Sequence, residues 1–321
     1  VAPSRGLGDV YKRQLYNFGA SVLRACGDTR RPLLILFLAG LVNVALNYIL
    51  VAWFSLGVIG VAVGTTASQF LSAIAVVAVL IRRRGFGHFS LRRMRINRQA
   101  LFEMTRIGLP AGVQGTIFSI SNVIIQSSIN SFGDIAMAGN AAAANLEGFV
   151  YISMNSISQA CLTFTARNYG ARNASNMRLV LYQCLGIVTV VGVVMGGAVY
   201  LLAGPLLSIY NGDAQVIAYG AERLLIVCVP YFLCGIMEVV VGSLRGMGCS
   251  VLPMLSAIAG VCGIRIVWIY TIFAWNRTLL TLYLSYPISW IITIAIHLIC
   301  YFIIRNRTER QIRSAPPIPE P

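Results

Sequence analysis

Residues 32–81 contain no Asp, Glu, Lys, Arg or His. A charge-free run of that length is more than twice the ~20 apolar residues that carry an α-helix across a bilayer. It reads as two spans, broken near Ser55-Leu56-Gly57. No water-soluble fold wets such a segment on any face. The rest of the chain agrees: of 321 residues 57% are hydrophobic and 11% charged, against about 25% charged in ordinary soluble chains. The expected fold class is all-α, a polytopic membrane protein with every backbone polar group satisfied inside its helices.

The formal net charge of +15 does not point to nucleic acid. The arginines stand at the ends of apolar runs, where membrane topology uses them, and not in a basic stripe. The eight cysteines show no Cys-x-x-Cys spacing, and His88 and His297 are isolated, so neither a metal nor a cofactor is expected. No His-x-x-x-His, paired intramembrane Asp or Ser/Lys dyad suggests an enzyme.

Residues 1–14 are polar, hold the lone lysine (Lys12) and have no signal-peptide pattern. They resemble translated adapter read-through and are expected to be a non-native leader. A partial helix over 15–24 follows. Eight full spans are expected at 33–54, 57–81, 107–132, 136–166, 179–209, 217–243, 251–275 and 279–304, with a disordered, Pro-rich tail over 305–321. Arginines fill alternate loops: Arg24, Arg30 and Arg31; the run from Arg82 to Arg106; Arg167, Arg172 and Arg178; Arg245; and Arg305 to Arg313. The intervening loops hold Arg277 and, near a helix start, Arg223, together with Asp134 and Asp213. The Arg-rich side, with the C-terminus, is expected to be cytoplasmic.

Leu23-Arg24-Ala25-Cys26-Gly27 with Pro32 recurs as Leu244-Arg245-Gly246-Met247-Gly248 with Pro253, an offset of 221 residues. Six spans separate the copies, so both have the same orientation, as in a parallel repeat of six-span units. The alternative is chance recurrence of an Arg-Gly-Pro turn. On the repeat reading, residues 15–84 are the tail of a first lobe, 85–106 a cytoplasmic inter-lobe loop and 107–304 a complete second lobe. Most of the first lobe would then be missing.

This 6+6 plan resembles the multidrug and toxic compound extrusion (MATE) family. The matching pieces are Leu23-Arg24-x-x-Gly27, Asn43-x-x-x-Asn47 with Gly57-x-x-Gly60, Ile107-Gly108-Leu109-Pro110, Asn168-Tyr169-Gly170-Ala171 and Leu244-Arg245-Gly246. The resemblance implies two helical bundles around a central cavity in a bacterial cytoplasmic membrane. It implies export of organic, often cationic, compounds coupled to inward H⁺ or Na⁺, by a protein that is a monomer when complete. Where many members carry a glutamate, the span over 107–132 has none; Phe118 and Ser119 stand near that place.

Intramembrane charges are expensive and mark function. Glu147, Glu222, Glu238 and Arg265 stand out. At 1.5 Å per residue, Glu238 lies roughly 10 Å and Arg265 roughly 18 Å in from the cytoplasmic side. The two are candidates for a cation-binding acid with its counter-charge, or for a structural ion pair. Glu147 is a candidate cavity acid, whereas Glu222 with Arg223 reads as an interfacial pair. Asn122 with Gln126, and Asn155 with Gln159, share helix faces and are candidate cavity-lining groups for substrate or cation. Asn43 and Asn47 read as interhelical glue. Pro230 is expected to break its helix, beside an aromatic pair, Tyr231 and Phe232. A lipid-linked oligosaccharide flippase is the rival reading; it calls for several cationic residues in the cavity, whereas Arg265 stands alone at mid-depth.

Overall fold

The computed structural model describes residues 3–83, 95 and 97–314, apart from the side chains of 3–13 and 313. The chain forms two units, Val1–Ile96 and Asn97–Pro321. The described residues are helical, with no strand among them.

The first unit holds α1 (Pro3–Ala25), α2 (Arg30–Trp53) and α3 (Gly57–Arg82). The α2–α3 turn falls where expected, with Ser55 at φ 52° and Gly57 at φ 50°. Leu23, Val76 and Leu80 form the apolar contact between α1 and α3. Asn43 ties α2 to α3 by donating to Ser68 Oγ (3.1 Å) and Thr65 Oγ1 (3.3 Å), and Asn47 donates back to Asn43 Oδ1 (3.2 Å). Asn43 therefore acts as the expected interhelical glue, whereas Asn47 bonds back along its own helix and its Oδ1 finds no hydrogen-bond partner among the described residues.

The second unit holds α4 (Arg98–Asn130), α5 (Asp134–Gly170), α6 (Ala174–Leu201), α7 (Ala203–Ser208), α8 (Ala214–Gly246), α9 (Val251–Phe273) and α10 (Leu279–Ser314). At its centre α5 packs against α6 and α8 around Val150, Met154, Val188, Val240 and Leu244. The outer faces are apolar: on α6, Ile187, Val190 and Val194 are all exposed, one helical stripe suited to lipid.

Among the described helices, α2, α3, α4, α6, α8, α9 and α10 are long and apolar enough to cross a membrane. The remaining expected span is α5. Its 37 residues are more than long enough, but it is polar, because Asn140 and Glu147 turn into the bundle. Four boundaries differ from expectation. The helix expected over 15–24 begins at Pro3, within the expected leader, because the helix runs on through the polar residues before Leu15. The span expected over 179–209 breaks at Leu202 into α6 and the short α7. The inter-lobe loop is helical from Arg98, because the Asn97 side chain caps the Gln99 (2.9 Å) and Ala100 (3.4 Å) amides; residues 84–94 and 96 lie outside the described residues. The tail expected to be disordered from Arg305 continues α10 to Ser314. Glu309 holds it, 3.6 Å from both Arg305 and Arg178, so charge pairing extends the helix past the apolar run. Residues 315–321 lie outside the described residues.

The two turns of the repeat have the same geometry. Gly27 and Gly248 have φ 83° and 81°. Their amides donate to Arg24 and Arg245 carbonyls, each at 2.9 Å, and the next residues, Asp28 and Cys249, donate to Leu23 (2.9 Å) and Leu244 (3.0 Å). This is a Schellman closure, which requires a left-handed residue after the helix. The same offset relates Ser68 to Ser289, each bonded to the carbonyl three residues before it (2.9 and 2.8 Å). A Cβ on Gly248 meets nothing within 4 Å, so its requirement is conformational alone. Gly248→Ala is expected to cost about 1 kcal/mol. Gly148→Ala, equally uncrowded but within α5, is expected to be neutral or stabilising. Thermal unfolding of the two variants checks this; equal shifts would remove the turn's conformational role.

Candidate functional site

α4, α5, α8, α9 and α10 line a half-open cavity of about 520 Å³. Pro230 shapes one wall. It lacks an N–H and its ring crowds the preceding turn, so α8 opens into a π-turn over Leu224–Cys228 and a tight turn over Val229–Tyr231. This is the expected break. α9 widens likewise over Ile258–Gly263 and Ile269–Phe273, leaving Arg265 between two loosened turns. Such widened turns are frequent at functional positions.

A chain of polar side chains crosses one end of the cavity. Gln126 Nε2 donates to Asn130 Oδ1 (3.0 Å), and Asn140 Nδ2 donates to Gln126 Oε1 (3.0 Å). Arg223 Nη1 donates to Asn140 Oδ1 (2.6 Å), while its Nε and Nη2 donate to the two oxygens of Glu147, each at 2.8 Å. Arg223 and Glu147 are about 5% and 6% exposed. Fork-to-fork geometry of this kind is the strongest form of ion pair. The rings of Tyr283 and Tyr286 lie 5.4 and 5.5 Å from the Arg223 guanidinium.

Tyr286, which also faces Arg223, belongs to an aromatic group that carries the second arginine. Trp290 lies 5.2 Å from Tyr231 and 6.0 Å from Tyr286, centre to centre. Arg265 lies 4.2 Å from the Tyr286 ring and donates from Nε to Ser289 Oγ (3.1 Å). Glu238 lines the same cavity from α8. Its backbone carbonyl accepts from Ser158 Oγ at 2.7 Å. Among the described residues its carboxylate makes no ion pair, because Arg245 turns to Gln114 Oε1 instead (2.8 Å).

Of the residues singled out in the sequence, Glu147, Glu238, Arg265, Asn122 and Gln126 line one cavity. Asn155 does not. It points along α5, donating to Tyr151 Oη (3.2 Å) and accepting from Gln159 (3.5 Å). Glu238 and Arg265 are not within ion-pair distance. Glu147 is in the wall, but Arg223 occupies both its oxygens, so it is not a free acid. The interfacial Glu222–Arg223 pair does not form, since helix neighbours one residue apart do not face each other. Asn140, Tyr286 and Trp290 were not singled out, and Arg223 was placed with Glu222 rather than in the cavity wall. For Arg223 the signal was there: the same rule sends it to another helix, and Glu147 is the acid at matching depth. Among the described residues no three His, Cys, Asp or Glu side chains cluster as a metal site. His297 is fully buried, and His88 lies outside the described residues.

The chain is similar to known transporters. It is 27% identical to the probable multidrug resistance protein NorM of Thermotoga maritima over 74% of this chain and 52% of that one. It is 26% identical to the FAD transporter of Shewanella oneidensis, over 76% of this chain and 54% of that one. The chain thus spans about half the length of these curated relatives. The crystal structure of the Vibrio cholerae MATE transporter VcmN in the bent form superposes with a TM-score of 0.81 at 19% identity, covering 96% of this chain and 68% of that one. An outward-facing MATE family multidrug transporter gives the same TM-score at 19% identity, covering 94% and 67%. The helical fold is therefore that of these transporters, and the MatE family model matches residues 110–271, half of the chain. The chain belongs to the MatE family of membrane transporters.

Proposed function

We propose that the chain supplies the cavity lobe of a cation-coupled antiporter that exports organic compounds, cationic ones among them, by alternating access. Glu238 carries the reading. It is an acid without an ion-pair partner among the described residues, in a cavity of about 520 Å³, a volume typical of small-molecule sites. An acid so placed binds H⁺ or Na⁺ in competition with a substrate, and this competition is the coupling. The names of two similar proteins, a multidrug resistance protein and an FAD transporter, support export of organic molecules. The arginine-rich loops support a cytoplasmic C-terminus in the plasma membrane.

Ethidium efflux, measured in proteoliposomes with the protein as its natural gene encodes it, tests this. Efflux is expected to accelerate under an inward H⁺ or an inward Na⁺ gradient. Efflux indifferent to both gradients would overturn the coupling.

A further inference from the structure

We propose that Arg265 binds the anionic group, a carboxylate or phosphate, of a transported aromatic compound. The inference deepens the reading of this cavity as the transport site. The two cavity arginines differ in one respect. Arg223 spends every edge of its guanidinium on protein, two nitrogens on Glu147 and one on Asn140. Arg265 spends one, its Nε on Ser289 Oγ. The hydroxyl proton of Ser289 is committed to the Tyr286 carbonyl, so that oxygen serves Arg265 purely as an acceptor.

Arg265 is about 5% exposed, and among the described residues no carboxylate lies within 4 Å of it. Neither of its Nη atoms has a protein acceptor, and neither is sealed from the cavity. A guanidinium carries five N–H donors, so four stay available, in the planar fork that fits carboxylate or phosphate oxygens. A cation buried at membrane depth without a counter-ion is costly, and an anion relieves that cost.

The surroundings choose the body that carries the anion. The Tyr286 ring fixes the guanidinium plane at 4.2 Å, and Trp290 stands 6.0 Å from it, with Tyr231 beyond. These rings are tilted or edge-on to one another, so a flat ring with an acidic substituent packs against one of them while its oxyanion meets Arg265. A lipid headgroup phosphate offers the same oxyanion but no flat body. Glu238 repels an anion from its own side of the cavity, so the anion is oriented toward Arg265.

Trp290 reports on the site. In phosphatidylcholine nanodiscs, with Trp53→Phe, Trp268→Phe and Trp275→Phe, and any tryptophan encoded outside residues 1–321 likewise replaced, it becomes the lone tryptophan. Para-nitrobenzoate is expected to quench it saturably, and more tightly than the neutral para-nitrobenzamide. Arg265→Gln is expected to weaken nitrobenzoate by about tenfold or more and Arg265→Lys by less, since it keeps the charge and loses the fork. Quenching by nitrobenzamide stays unchanged in both, which shows the cavity intact. Equal affinity for the two probes, or nitrobenzoate binding indifferent to Arg265→Gln, would overturn the proposal. Nitrobenzoate binding suppressed by phosphatidylglycerol in the nanodisc would assign the site to lipid headgroups and also overturn it. The measurement needs no transport: Arg265-dependent binding without gradient-driven efflux defeats the antiport reading alone, and the converse defeats this inference alone.

Discussion

Glu238→Gln abolishes gradient-driven efflux while leaving the amount of protein in the membrane unchanged. The substitution keeps the side chain's size and hydrogen-bonding capacity and removes only its ionisation. Stability is spared because the carboxylate makes no ion pair among the described residues. The backbone there is fixed independently, by Ser158 Oγ on the Glu238 carbonyl. One turn on, a Cβ on Gly242 would lie 2.7 Å from the Ser158 carbonyl oxygen, so α5 and α8 touch backbone to backbone. The acid is thus presented to the cavity from a rigid crossing. An amide takes no proton and holds Na⁺ weakly, so the coupling step disappears. Ethidium efflux is expected to fall to the level of empty membranes, and Glu238→Asp to retain part of it. Glu222→Gln, outside the cavity lining, is expected to transport normally. Unimpaired efflux in Glu238→Gln would remove Glu238 from the mechanism.

Helices and their breaks were legible because lipid makes them so. Charge-free runs must be helical, and Gly27, Gly57 and Pro230 mark turns that few other residues tolerate. Asn43 was readable as glue because an amide on an apolar face needs a partner within a side chain's reach; Asn47, one turn on, bonds back to Asn43 instead of across to α3. The polar helix α5, expected as a span, forms a 37-residue helix, although it is not apolar enough to count among the candidate spans. The site was half legible. Costly charges name themselves, so Glu147, Glu238 and Arg265 were found; their partners depend on how helices rotate, which no period within one helix states. Arg223 was assigned to its chain neighbour Glu222, where the pairing geometry of a helix forbids it. Arg245 and Glu238 lie two turns apart on α8, yet Gln114 takes the arginine. Asn155 carried the same spacing signal as Asn122 but bonds along its own helix. The tail over 305–314 was misjudged because Glu309, just past the apolar run, pairs across to Arg178 and Ile312 packs against the core.

The pair Glu147–Arg223 is expected to show the opposite behaviour from Glu238: large effects on stability and small ones on transport. Arg223→Met removes three hydrogen bonds and leaves a carboxylate, about 6% exposed, without a counter-ion. Breaking a buried pair from one side costs about 3–5 kcal/mol, so this variant is expected to unfold far earlier than the parent in detergent. Glu147→Leu strands the guanidinium in the same way, with Asn140 Oδ1 as its remaining acceptor. The double variant Glu147→Leu, Arg223→Met removes both charges together. It is expected to recover most of the loss, since two apolar side chains of similar volume need no solvation. A residue of about 1 kcal/mol should persist for the orphaned Asn140 carbonyl oxygen. Strict additivity of the two single losses would show that the groups do not depend on one another, against the 2.8 Å geometry. Transport by the double variant then separates the two acids. If Glu238 carries the coupling ion, the stable, charge-free pair still supports gradient-driven efflux. If efflux vanishes while the fold holds, the ion travels through Glu147, and Arg223 is the counter-charge it must displace.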